Sequence, residues 1–136
     1  MPKTARPRRS MLYMPGSNVR ALDKARSLPA DALILDLEDS VAPDQKDAAR
    51  ANVCDAVKAG GYGMREILVR VNGLATRWGF DDIALASKCG ADALLLPKVE
   101  SADAIRQMET IMRANGAPDG MAIWAKTGSA NDFTVW

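Results

Sequence analysis

Residues 32–38 read Ala32-Leu33-Ile34-Leu35-Asp36-Leu37-Glu38, and this stretch decides the fold. Its apolar run is nearly continuous, as in a strand buried on both faces of a parallel sheet. A polar segment follows, opened by Pro43 and Asp44 and ended by Gly60 and Gly61. Within it Ala49, Val53, Ala56 and Val57 recur at spacings of three and four, which predicts a helix over 43–59.

The same alternation extends in both directions. Strands are predicted at 10–16, 66–72, 93–99 and 120–125, with helices at 17–28, 78–88 and 102–115. Ser17 or Asn18 and Ser101 are candidate helix caps, and Gly90 is a stop. Five apolar strands separated by four helices define an α/β chain with a parallel sheet and right-handed crossovers. An open doubly wound sheet and a partial (β/α)₈ barrel both fit.

Composition narrows the function. The chain has 136 residues, 48% hydrophobic and 26% charged, with a net charge of +1. That is ordinary for one globular domain and gives no sign of a nucleic-acid binder. No apolar run is long enough to span a membrane. Residues 1–9 carry Lys3, Arg6, Arg8 and Arg9 without an acid and read as a disordered basic arm. Histidine is absent, which removes His-based triads and His metal ligands. Cys54 and Cys89 read as reduced core thiols of a cytoplasmic protein. No GxGxxG, P-loop, CxxC or HExxH motif occurs.

Chemistry is expected where the strands end, because both architectures gather ligands at the C-terminal tips. Those tips are polar: Asp36-Leu37-Glu38-Asp39, Arg70-Val71-Asn72-Gly73 and Pro97-Lys98-Val99-Glu100. Side chains alternate along a strand, so Asp36 shares a face with Glu38, and Arg70 with Asn72. In a barrel these four and Lys98 would ring the mouth. The pattern fits a salt-bridge network closing the mouth, and fits better a site for an anion or a metal-held oxyacid.

Four motifs, in order, resemble the citrate lyase β-subunit-like branch of the HpcH/HpaI aldolase/citrate lyase family. They are Ser10-Met-Leu-Tyr-Met-Pro-Gly-Ser17; Asp36-Leu-Glu-Asp-Ser-Val-Ala-Pro43 with Lys46, Ala49 and Arg50; Val69-Arg-Val-Asn-Gly73 with Trp78; and Leu96-Pro-Lys-Val-Glu100. The resemblance implies a (β/α)₈ barrel, usually oligomeric, acting on an acyl-thioester or oxo-acid substrate. It implies Mg²⁺-dependent retro-Claisen cleavage of 3-hydroxyacyl thioesters of the citryl, malyl or citramalyl type, with thioesterases among its members. It makes Arg70 the substrate-binding arginine. Asp36, Glu38 and Asp39 would hold metal waters or orient Arg70. The Pro15-Gly16 turn would bring backbone amides to an anionic group.

The resemblance covers about residues 8–125 and then stops. A full barrel takes at least about 200 residues. The family's first metal-ligating Glu is expected near Gly128, the second ligand falls beyond Trp136, and Asp132 reads as a solvated tail residue. The chain is therefore expected to be a truncated or frameshifted N-terminal half: a lyase domain over 10–125 and a divergent tail over 126–136. Alone it is expected to be inactive, and to associate with itself or another chain through the open edges of its first and fifth strands. The competing readings are a non-catalytic half-barrel interaction module and a flavodoxin-like phosphate binder.

Overall fold

The computed structural model describes residues 10–99, 101–126 and 133–135. Five parallel strands alternate with four helices: β1 (Met11–Pro15), α1 (Val19–Lys24), β2 (Ala32–Asp36), α2 (Lys46–Ala59), β3 (Glu66–Arg70), α3 (Gly79–Ala86), β4 (Ala93–Leu96), α4 (Ala102–Ala114) and β5 (Ala122–Lys126). A short β6 (Phe133–Val135) runs antiparallel to β5. The sheet order is β1-β2-β3-β4-β5-β6. Each crossover helix thus returns the chain to the neighbouring strand, as in one arc of a barrel.

Local chemistry accounts for the element ends. The Asn18 Oδ1 accepts from Ala21 N at 3.0 Å and starts α1. Gly60 ends α2 at φ 72°, a conformation glycine takes without strain. Ser101 occupies the cap position of α4 but makes no side-chain capping bond, contrary to expectation. The predicted tail also differs. Lys126 belongs to β5, and β6 covers the β5 edge that was expected to stay open. The expectations for residues 1–9, Gly128 and Asp132 lie outside the described residues.

The sheet has two apolar faces. Leu33, Leu35, Leu37, Val69, Val71, Leu94, Leu96 and Ile123 pack under the helices with Val53, Ile83 and Met108. Ala32, Ile34, Leu68, Ala93, Leu95 and Trp124 form a smaller cluster on the opposite face. Strand alternation puts Asp36 and Arg70 in register on this second face, where a barrel would have its interior. Cys54 and Cys89 are free and buried. No helix among the described residues is long and apolar enough to cross a membrane.

Candidate active site at the strand tips

Asp36 and Arg70 end adjacent strands and meet as a two-pronged pair. Arg70 Nε donates to Asp36 Oδ1 and Nη2 to Oδ2, each at 2.7 Å. Three more donors converge on the same carboxylate: Glu38 N at 2.9 Å, Ser40 N at 3.0 Å and Ser40 Oγ at 2.7 Å. Burial alone would raise the Asp36 pKa. The bonds from Arg70 and Ser40 outweigh it and hold the carboxyl down at about 2. Asp36 is fully buried and takes five hydrogen bonds, so it has no free face for a metal water. Both of its oxygens hold Arg70.

Arg70 keeps one edge toward the site. Its Nη1 lies 3.8 Å from Glu38 Oε1, and its guanidinium stacks 4.7 Å from the Tyr13 ring centroid. Glu38 in turn lines a cleft of about 590 Å³ with Asn72, Gly73, Thr76, Lys98 and Gln107. The cleft therefore gathers Glu38, Asn72 and Lys98, while Asp36 and Arg70 form the charged pair beside it. Lys98 adopts φ 50°, the left-handed region, which costs a lysine about 1 kcal/mol. It is exposed at the cleft's rim. Asp39 is exposed as well.

The Pro15-Gly16 turn departs from expectation. Pro15 has no N–H, and the Gly16 N–H donates to Asp36 O at 2.8 Å, so it is not open to an anion. Glycine is needed there for packing. A Cβ at Gly16 would lie 2.7 Å from Asp36 O and 2.8 Å from a Val53 methyl. Lys46 is buried and donates to Leu37 O at 3.1 Å and Glu38 O at 2.8 Å, with the Trp78 ring 5.2 Å away. It ties the tip of β2 to α2.

One group was missed from sequence. Asp82 on α3 is fully buried and accepts from Arg50 Nε at 2.7 Å, Asn72 N at 3.0 Å and Asn72 Nδ2 at 2.6 Å. Its signal was present: Gly79, Ile83 and Ala86 form the buried stripe of α3, and Asp82 is the acid within that stripe. Among the described residues no three His, Cys, Asp or Glu side chains form a group that could hold a metal.

The parallel βα arc carries an arginine–carboxylate pair and an open cleft at its strand tips, the end at which barrel folds gather their ligands. The chain belongs to the HpcH/HpaI aldolase/citrate lyase family, whose model matches residues 9–127. It is 44% identical over 130 residues to a (3S)-malyl-CoA thioesterase of Cereibacter sphaeroides, covering 96% of this chain and 44% of that protein. It is 42% identical to the citrate lyase β subunit of Escherichia coli, over 79% of this chain and 35% of the subunit. The chain thus spans less than half the length of these relatives. A CitE protein of Mycobacterium tuberculosis, solved with magnesium, acetoacetate and coenzyme A, superimposes with a TM-score of 0.58 at 31% identity, over 72% of this chain and 35% of that one. A Haloferax volcanii malate synthase shares the fold at a TM-score of 0.73 and 19% identity, over 87% and 42% of the two chains.

Proposed function

We propose that this chain supplies the oxyacid-binding side of an active site that cleaves the carbon–carbon bond of a 3-hydroxyacyl thioester. The Arg70–Asp36 pair carries the proposal. A guanidinium held in a buried, two-pronged grip is pre-aimed, and its remaining Nη1 edge can meet charge that grows on a substrate oxygen without reorganising. In the cleavage a cleft carboxylate takes the hydroxyl proton, the electrons of the breaking carbon–carbon bond form the thioester enolate, a carbonyl acid leaves, and the enolate carbon then takes a proton. Arg70 is assigned to the oxygen that gains charge, Asp36 to its orientation, and Glu38 and Lys98 to the polarity of the cleft.

Relatives solved with magnesium support an expectation of Mg²⁺ for the family. The described residues do not fit a metal centre of their own: Glu38 and Asp103 are the carboxylates along the cleft, and no three His, Cys, Asp or Glu side chains among the described residues group to hold an ion, so no step is assigned to the metal. Calorimetric titration of the chain with oxaloacetate plus MgCl₂ tests the reading. Saturable heat that is lost in Arg70→Lys, which keeps the charge but not the fork, supports it; equal binding by both forms refutes it. Acyl-thioester cleavage without carbon–carbon scission would assign the site to hydrolysis instead.

The unpaired edge of β1 is the proposed contact for a second copy of the chain. β1 pairs only with β2 among the described strands, and an open edge is a ready template for another strand. Sedimentation should show association, and a monodisperse monomer would contradict it.

A further inference from the structure

The Asn72 side chain is fixed at both of its amide hydrogens. Nδ2 donates to Leu37 O at 2.9 Å and to Asp82 Oδ2 at 2.6 Å. Both partners only accept, so the reversed amide would set oxygen against oxygen. The orientation is therefore settled by chemistry rather than by choice. The Asn72 Oδ1 receives no donor among the described residues, and no buried side-chain atom among them is unsatisfied. Asn72 lines the cleft, so its amide oxygen is an acceptor presented there.

Asp82 makes this possible from behind. One oxygen takes Arg50 Nε, and the other takes both the backbone and side-chain N–H of Asn72. The turn beyond is fixed too. Gly73 O accepts from Thr76 N at 3.0 Å and Thr76 Oγ1 at 2.7 Å, and a Cβ on Gly79 would stand 2.3 Å from that carbonyl. Helix α3 thus abuts one wall of the cleft at Gly79 and holds it by a hydrogen bond at Asp82.

We propose that Asp82 is a positioning residue: with Arg50 it locks Asn72 so that an amide oxygen faces the cleft, and the site thereby selects a ligand that brings a hydroxyl donor. This rests on the oxyacid reading above and deepens it. A neutral hydrogen bond of this kind is worth about 1 kcal/mol, or roughly 5- to 10-fold in affinity.

The test pairs two dicarboxylates that differ by one hydroxyl, malate and succinate, titrated into the full chain with MgCl₂. Malate is expected to bind about 5- to 10-fold more tightly. In Asp82→Asn an amide NH₂ must face either Arg50 or Asn72, so the lock is lost. The malate preference should fall to about one while succinate affinity holds. Chelation of Mg²⁺ by the malate hydroxyl would leave the preference intact in the variant, and that result overturns the proposal. A second reading needs no ligand: the Asn72 side-chain NH₂ should exchange slowly with solvent by NMR in the wild type and fast in Asp82→Asn. Fast exchange in the wild type also overturns it. Should Asp82→Asn not fold, Arg50→Lys should give the same changes in weaker form. Equal malate and succinate affinities, with binding still dependent on Arg70, sink this inference alone. Binding of neither sinks the oxyacid reading with it.

Discussion

The two ends of the sheet use their polar side chains differently. At the N-terminal end they bind the main chain. Asp31 Oδ2 accepts from Ser10 N, and Asp92 Oδ2 from Ile67 N at 2.7 Å. Arg65, just before β3, donates to the carbonyls of Tyr62, Ala25, Leu28 and Arg26. At the C-terminal end some also bind the main chain, as Lys46 and Asp36 do, but they pair with one another as well: Arg70 with Asp36, and Asp82 with both Arg50 and Asn72. A side chain that closes a backbone loop has no further task. The Arg70 guanidinium, held by side chains alone beside an open cleft, keeps its Nη1 edge for a further partner. The division matches the barrel rule that stability gathers at one face and chemistry at the other.

The largest expected effect breaks the pair at the chemical end. Asp36→Ala leaves Arg70 buried without its carboxylate and frees the N–H groups of Glu38 and Ser40. The expected loss is about 3–5 kcal/mol in denaturant unfolding. A loss under 1 kcal/mol would mean that Arg70 is hydrated and not gripped.

At the other end, Arg65→Ala removes a donor from four backbone carbonyls, of which Ala25 O keeps the bond from Leu28 N. About 2–3 kcal/mol should be lost, with oxyacid binding unchanged per folded molecule. A change in affinity as large as that from an Arg70 variant would dissolve the contrast between the two ends.

Acid sharpens the same contrast. The Asp36 carboxyl titrates near 2 in the folded chain and at the ordinary 3.8 when unfolded. A lowered folded pKa gives stability that is complete above 3.8 and lost as pH falls from about 4 to 2. The span corresponds to about 2 kcal/mol. Urea midpoints between pH 5 and 2 should fall with this profile, and Asp36→Asn should flatten it.

How much of this the sequence carried follows from what periodicity reports. It reports which face a residue is on, so the five parallel strands and the shared face of Asp36 and Arg70 were legible from alternation. It does not report reach. The Asp36 carboxylate was legible as a tip residue, but its saturation by Ser40 and the Glu38 N–H depends on how the chain turns after Leu37. The Gly16 amide looked available because the turn after β1 was visible and the carbonyl of Asp36 across from it was not. Asp82 was hidden for the same reason. It lies in the apolar stripe of α3, and periodicity places it on the buried face without showing that Arg50 and Asn72 come to it there. β6 follows β5 too closely and is too short to leave a periodic trace.

The smallest effect is the control for all of these. Arg106 Nη2 contacts Asp103 at 2.9 Å on α4, the same distance class as the Arg70–Asp36 contacts. Yet the two side chains are 72% and 75% exposed, against 10% and 0% for Arg70 and Asp36. Water already solvates the Arg106 pair, and salt screens it, so Arg106→Ala should shift stability by less than about 0.5 kcal/mol. Distance is held nearly constant between the two pairs while burial changes. If Arg106→Ala cost as much as Asp36→Ala, burial would not be what gives the strand-tip pair its strength, and the pre-aimed guanidinium would lose its physical basis.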